Sequence, residues 1–304
     1  HQDERVRHPG GVTTPAASEA GPGKHRTRIL TAFAVFALAL LVLWVGLPLL
    51  IPAFLFLTIV AIQEYAELLK LRGIVVHKRS LWVAAVLTVP ASLPATYPGM
   101  QPLFAGVSWR EALVAVLALY LVAVELAKPS QDSLYSVVFS LFGYVYIPWL
   151  FGFMITLRYT PDGVMGLWYL ALPMLAMVAS DVGAYAFGSA FGRRKLAPDI
   201  SPNKSVEGSV GGVLLALAVT SVTALLARRF TGFEMGIEEI VLFSLLVSSA
   251  AQLGDLFESL LKRWAGVKDT GMVLPGHGGV LDRIDSALFT FPISYLFVTL
   301  IILR

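Results

Sequence analysis

Long apolar runs, which alternate with short polar breaks from Ile29 to Leu303, are the feature that most limits the fold of this sequence. A helix needs about 20 residues to cross the hydrocarbon core of a bilayer, and most of the runs have about this length. The composition agrees, because only 14% of the residues are charged, whereas soluble domains carry about 25%. The runs cover residues 29–46, 48–68, 80–97, 109–127, 134–157, 166–190, 209–227, 238–261 and 287–303. The sequence therefore predicts an all-α, polytopic integral membrane protein with about nine transmembrane helices.

The distribution of basic residues predicts how these runs cross the membrane, because Lys and Arg accumulate in short cytoplasmic loops. A cytoplasmic N-terminus and strictly alternating helices place most of the 23 Lys and Arg residues on the inner side. We interpret the first two runs as a hairpin, since one long helix there would invert every later loop. The net charge of +3 then reflects the basic residues of the cytoplasmic loops. The basic residues form no single solvated face of the kind that binds nucleic acid, so we expect no nucleic-acid partner.

Three regions follow from this pattern. Residues 1–28 are polar and lack apolar periodicity, so we expect a disordered N-terminal tail. Residues 29–165 carry five predicted transmembrane helices, and residues 166–304 carry four together with two polar cytoplasmic loops. The sequence contains no cysteine, which excludes disulfides, thiolate zinc sites and cysteine nucleophiles. Any chemistry must therefore come from carboxylates, histidines, hydroxyls and cations.

Polar residues interrupt the eighth apolar run near its inner end. Asp255, Ser259 and Lys262 are spaced i, i+4 and i+7, so they lie along one stripe of a helix. An ionised carboxylate inside an apolar span is costly unless it is paired or binds a metal, which makes Asp255 a functional candidate. The alternative is that Asp255 pairs with a neighbouring lysine for structure alone.

Two further carboxylates, Asp282 and Asp285, lie one helical turn apart at the start of the last helix. Oxygen ligands of this kind suit a hard cation such as Mg²⁺. The absence of cysteine and the scarcity of histidine argue against zinc. This pair therefore predicts a cation site next to the loop that precedes it.

That loop contains the sequence PGHGG at residues 275–279, in which Gly278 and Gly279 let backbone N–H groups approach an anion closely. His277 can donate to a phosphate oxygen, move a proton or stabilise the turn. The surrounding cations are Lys262, Arg263, Lys268 and Arg283. Backbone donors, a metal and a cluster of cations are what phosphoryl or nucleotidyl transfer requires.

A second polar region begins with Asp181, an acidic residue inside the sixth run. It continues to the segment SPNKSVEG, which places Ser201, Lys204 and Glu207 just before a glycine-rich helix. A helix N-terminus is a natural anion site. The alternative is a capping arrangement together with close helix packing through the glycines.

Two glutamates, Glu64 and Glu67, lie at the inner end of the second run. We interpret both as interfacial residues that pair with Lys70 or Arg72. This interpretation gives them no part in the chemistry.

The stretch at residues 259–285, SLLKRWAGVKDTGMVLPGHGGVLDRID, resembles the signature of the phosphatidate cytidylyltransferases, also called CDP-diacylglycerol synthases. The matching positions are Ser259, Lys262, Arg263, Lys268, Asp269, Gly271, Pro275, His277, Gly278, Gly279, Asp282, Arg283 and Asp285. The second region resembles the DTxAYxxG and SPxKTxEG stretches of the same family. There Val182 replaces the usual Thr, and Ser205 and Val206 replace a Thr-Trp pair. The resemblance covers the C-terminal half by motif and the whole membrane span by helix pattern.

This resemblance implies a Mg²⁺-dependent enzyme of phospholipid biosynthesis that converts CTP and phosphatidate to CDP-diacylglycerol and pyrophosphate. It implies that Asp255 and Asp282 are metal ligands and allows a second cation. It also implies that Asp285 and Ser259 orient the phosphates. Lys262, Lys268, Arg283 and the PGHGG backbone would hold phosphates. The further substrate-binding candidates are Arg263, Asp269, His277, Gly278, Gly279, Lys204, Glu207, Asp181 and Ser201. We also expect a homodimer in the cell's inner (plasma) membrane, with the active site facing the cytoplasm.

Two other classes of protein are less consistent with the sequence. A CDP-alcohol phosphotransferase is also a Mg²⁺-using membrane enzyme, but the sequence lacks its DxxDGxxAR run. A proton- or cation-coupled transporter would explain Asp181 and Asp255 as relay residues. Against it, the acidic residues accompany glycine loops and cations at one membrane face and do not follow a crossing path.

Overall fold

The computed structural model of the protein describes residues 38, 41–99, 107–268 and 279–304. Within these residues the chain is mainly helical, which confirms the predicted helical class. The α-helices are α1 (Leu47–Lys70), α2 (Lys78–Ala91), α3 (Trp109–Ala127), α4 (Ser133–Tyr144), α5 (Phe153–Tyr159), α6 (Met165–Phe191), α7 (Val206–Thr231), α8 (Ile237–Ala265) and α9 (Leu281–Phe297). Helices α4 and α9 continue into π-helical segments, Val145–Trp149 and Val298–Ile302. The chain divides into residues 1–41 and residues 42–304, and all of these helices belong to the second unit.

Each predicted apolar run from residue 48 onward contains a helix in the described chain. Six helical segments in the described ranges are long and apolar enough to cross a membrane: Leu47–Lys70, Ser133–Tyr159, Met165–Phe191, Val206–Thr231, Ile237–Ala265 and Leu281–Ile302. Helix α2 has only 14 residues, fewer than the roughly 20 that a span needs, and α3 carries Arg110, Glu111 and Glu125. Most of the first predicted run and the whole predicted tail at residues 1–28 lie outside the described residues. The count of nine spans, the cytoplasmic N-terminus and the division at residues 28 and 165 therefore stay predictions.

Large apolar side chains remain exposed on several helices. Leu119 is 73% exposed, Phe230 73% and Ile237 83%. Soluble monomers rarely expose apolar surface on this scale, whereas a bilayer covers it without cost. The exposed side chains thus agree with a protein that lies in a membrane.

Glycine ends two of the helices that carry the site. Gly232 follows α7 with φ 73° and Gly266 follows α8 with φ 81°. Only glycine adopts this left-handed conformation without steric cost, so each residue stops its helix. Helix α8 therefore ends just after Lys262 and Arg263.

A short hairpin connects α6 to α7 and departs from the predicted all-α class. Strands β1 (Lys195–Ala197) and β2 (Ser201–Ser205) pair antiparallel, with Lys195 opposite Ser205. The Oγ of Ser205 then accepts from the N–H of Gly208 and begins α7. The hairpin thus fixes the position of Lys204, the residue before this cap.

Close packing of α6 against α7 depends on glycine. A Cβ added to Gly208 would lie 2.7 Å from the carbonyl oxygen of Ala184, and one added to Gly212 would lie 2.8 Å from that of Ser180. Gly254 plays the same part between α8 and α9, where a Cβ would overlap the carbonyl of Asp285. This close approach places the acidic residues of α6, α8 and α9 near one another.

Candidate active site

A buried lysine joins the two helices that carry the signature. The Nζ of Lys262 on α8 lies 2.5 Å from Oε2 of Glu258 and 2.7 Å from Oδ1 of Asp282 on α9. The second oxygen of Asp282 accepts from the N–H of Gly279 at 3.0 Å. The Glu258 side chain is 1% exposed and that of Lys262 is 14% exposed. Since charges this deeply buried must be paired, Lys262 holds both carboxylates in place.

A second ion pair links the hairpin to α8. The Nζ of Lys204 lies 2.7 Å from Oδ2 of Asp255, and the Asp255 side chain is 39% exposed. This contact satisfies the carboxylate that sequence analysis singled out within an apolar run. It also joins the two polar regions, which the sequence separates by some 50 residues.

Three carboxylates from three helices form the centre of the site. Asp181 on α6 interacts electrostatically with Asp255 on α8, and both interact with Asp285 on α9. Lys204 interacts electrostatically with Asp181, and Lys262 interacts with Asp285. Together with the two carboxylates bound to Lys262, acidic groups outnumber the lysines, and such an excess attracts a cation.

The donor set has the chemistry that Mg²⁺ prefers, since it consists of carboxylate oxygens. Across residues 38, 41–99, 107–268 and 279–304, however, no three Asp, Glu or His side chains come together as a ready-made metal site. Of the two ligands implied by the resemblance, Asp255 is paired with Lys204 and Asp282 with Lys262. Both residues therefore fit a metal only if these lysines shift toward a bound phosphate.

Aromatic side chains pack behind the carboxylates. Tyr146, in the π-helical segment after α4, packs edge-on against Phe257 at 5.1 Å between ring centroids and also contacts Phe142 and Phe289. A wall of this kind excludes water and lowers the local dielectric constant, which strengthens the charge interactions beside it.

Glu64 on α1 is the residue that sequence analysis placed wrongly. It is fully buried, and its carboxylate accepts from the N–H groups of Val280 and Leu281 at 2.9 Å and 2.8 Å. Its predicted interfacial pairing with Lys70 or Arg72 is therefore wrong. Glu67 is exposed and hydrogen-bonds with Gln63. The signal was present in the sequence, because Glu64 lies in an apolar run just as Asp255 does.

The start of α7 follows the capping alternative. Glu207 accepts from the backbone N–H groups of Arg193 and Arg194 at 3.0 Å and 3.2 Å, while Ser205 caps the helix. Ser201 begins β2 and pairs with Ala197. A direct role of Glu207 or Ser201 in substrate binding stays a prediction.

The other candidates lie on the rim or outside the described residues. Ser259 is buried on α8, and the exposed Arg263 donates to the carbonyl of Ile200 at 3.5 Å, next to the hairpin turn. Lys268 and Arg283 are exposed. Asp269, His277 and Gly278 fall outside the described residues. Glu258 was not among the predicted site residues, although its i, i+4 spacing to Lys262 indicates a pair on one helix face.

Comparison with known proteins relates this geometry to a family. A model of the "Cytidylyltransferase family" matches residues 26–301. The phosphatidate cytidylyltransferase of Bacillus subtilis is 42% identical over 156 residues, which cover 51% of this chain and 56% of that protein. Those of Staphylococcus saprophyticus and Staphylococcus haemolyticus are 45% identical over 128 residues, 42% of this chain and 48% of each relative. The chain thus spans about half the length of the curated relatives it matches.

Proposed function

This chain belongs to the cytidylyltransferase family, and on that premise we propose that it is a phosphatidate cytidylyltransferase. The reaction joins CTP and phosphatidate to give CDP-diacylglycerol and pyrophosphate. One observation carries the proposal: Lys204 contacts Asp255 while Lys262 contacts Asp282, so the two polar regions form one site. The matched relatives bear the name of this enzyme.

The proposed reaction hardly needs a general base. A phosphate oxygen of the lipid, ionised near neutral pH, attacks the α-phosphorus of CTP in line, and the bond from that phosphorus to the β-phosphate oxygen breaks. Catalysis then depends on positioning and on neutralising the charge of the triphosphate and the leaving pyrophosphate. Lys204 and Lys262 supply positive charge inside the site, and Lys268 and Arg283 supply it at the rim. The carboxylates hold the two inner lysines until phosphates arrive.

We propose Asp255 and Asp282 as ligands of Mg²⁺. A bound Mg²⁺ supplies charge neutralisation and orients the triphosphate. Asp181 and Asp285 would add negative charge around it, which increases the repulsion among the carboxylates and so favours a second cation. With Asp282 on the metal, Lys262 would be available to a phosphate oxygen.

The proposed reaction explains why the site lies among membrane helices. The acyl chains of phosphatidate stay in the bilayer, and its phosphate reaches the carboxylates and lysines from the membrane surface. We propose that this surface is the cytoplasmic face of the inner (plasma) membrane, as the distribution of basic residues predicts. The expected homodimer stays part of the proposal.

The test is the release of pyrophosphate from CTP by the purified chain in detergent, with phosphatidate and Mg²⁺. We expect turnover that needs both substrates and the metal. Asp282→Asn replaces the carboxylate that contacts Lys262 by a neutral amide. We therefore expect a loss of about 100-fold or more in kcat. Glu67→Gln, an exposed change one turn from Glu64, is the matched control and should leave the rate unchanged. No turnover by folded protein with several phosphatidates and divalent ions would refute the proposal.

A further inference from the structure

The carboxylate of Glu64, in the N-terminal half of the chain, caps α9, the helix that carries Asp282 and Asp285. Glu64 is 216 residues away from Val280 along the sequence, yet each of its two oxygens accepts one N–H from the start of α9. The first N–H groups of a helix have no partner within the helix, and its N-terminus carries partial positive charge. A negative charge from another helix satisfies both needs.

The contact fixes the part of α9 that carries the acidic residues. Asp282 follows directly after Leu281, and its own carboxylate takes the N–H of Gly279. Glu64 and Asp282 thus share the N–H groups of residues 279–281. Because Asp282 and Asp285 extend from this first turn, any shift of the turn moves both carboxylates relative to Lys262 and Asp255.

The other side of the contact is firmly held. Tyr65, the next residue on α1, is fully buried and donates its hydroxyl to the carbonyl of Phe139 at 2.9 Å. Leu68 and Leu69 complete the buried face of the same turn. Glu64 therefore projects from a rigid surface, and its two hydrogen bonds transmit the position of α1 to α9.

A packing role alone does not require this residue. A buried carboxylate loses its hydration, which an apolar side chain of similar size does not. In the described part of the chain Glu64 forms no ion pair, so the two N–H groups and the helix dipole balance its charge. An acidic side chain at this point also constrains the position of α9, because its two oxygens fit two adjacent N–H groups in a single register.

We propose that Glu64 is a positioning residue of the reaction. It holds the first turn of α9 so that Asp282 and Asp285 stay aligned with Lys262 and Asp255. This inference rests on the proposed cytidylyl transfer. It assigns part of the active-site geometry to the N-terminal half of the chain, which carries none of the signature residues.

The experiment compares Glu64→Gln and Glu64→Asp with Glu67→Gln in the full chain. Gln keeps the shape but offers one oxygen, so one N–H faces an amide NH₂ and the turn must shift. A shift of about 1 Å costs about 100-fold in rate, and we expect this loss in kcat with little change in KM for either substrate. Asp keeps the charge on a shorter side chain and should recover part of kcat. Glu67→Gln should match the wild type.

Three results would overturn the inference: kcat of Glu64→Gln equal to that of Glu67→Gln, a rise in KM with kcat unchanged, or a loss of activity that the unfolded fraction accounts for fully. If neither the wild type nor Glu67→Gln turns over, the proposed function fails separately. Hydrogen exchange at residues 279–286 then decides about Glu64. Faster exchange in Glu64→Gln than in Glu67→Gln supports the contact as what holds this turn, and equal rates refute it.

Discussion

Replacing Lys262 by methionine tests whether the lysine holds the site together. The change keeps the length of the side chain and removes its charge, leaving the carboxylates of Glu258 and Asp282 without their shared partner. The side chains of Glu258 and Asp282 are 1% and 18% exposed, so water replaces little of the lost interaction. Removing one partner of a buried pair costs about 3–5 kcal/mol. We take this range as the expected loss in the free energy of unfolding.

The assay is thermal unfolding in detergent, followed by intrinsic fluorescence at a fixed scan rate because membrane proteins often unfold irreversibly. A loss of this size lowers the midpoint by on the order of 10 °C. Lys268→Met, an exposed lysine beyond the end of the same helix, is the control for stability and should shift the midpoint little. The double variant Lys262→Met with Glu258→Gln removes the more deeply buried of the two carboxylate charges and should recover part of the stability without restoring activity.

Two outcomes would refute this reasoning. If Lys262→Met is as stable as the wild type, the two carboxylates do not depend on the lysine for charge balance. If the double variant is no more stable than Lys262→Met, the loss does not come from an uncompensated charge on Glu258. The second comparison is the sharper one, because non-additivity between neighbouring residues reports their interaction directly.

Two further predictions separate stability from activity at the same site. Lys204→Met should cost less than about 1 kcal/mol of stability, because Asp255 is 39% exposed. Its kcat for pyrophosphate release should nevertheless fall. A loss of stability as large as that of Lys262→Met would contradict this prediction. Gly254→Ala places a methyl group against the carbonyl of Asp285, so α8 and α9 must separate. The free energy of unfolding should fall by an overpacking cost of about 1–3 kcal/mol, and kcat should fall as well. Gly266→Ala has open space around its Cβ but a φ of 81°, so it should lower stability alone; an equal effect of the two changes on kcat would refute the packing argument.

The helices could be predicted because backbone polar groups in lipid must be hydrogen-bonded within their own segment. This requirement depends on the local sequence alone. Eight of the predicted runs contain a helix in the described chain, and the glycines that end α7 and α8 stop them through local backbone preference. The same local argument singled out Asp181 and Asp255, since an acidic residue in an apolar run needs a partner wherever it lies. The hairpin at residues 195–205 was not predicted because its strands are too short to give an alternating pattern.

The sequence alone determined that the protein is helical, that it suits a membrane and that its chemistry rests on carboxylates and cations near two polar regions. Only the tertiary structure decided the partners: Lys204 for Asp255, Lys262 for both Glu258 and Asp282, and the first turn of α9 for Glu64. The physical reason is that a buried charge requires compensation but does not specify its source. That choice depends on how closely the helices approach, which glycines such as Gly254 set through contacts between segments far apart in the sequence.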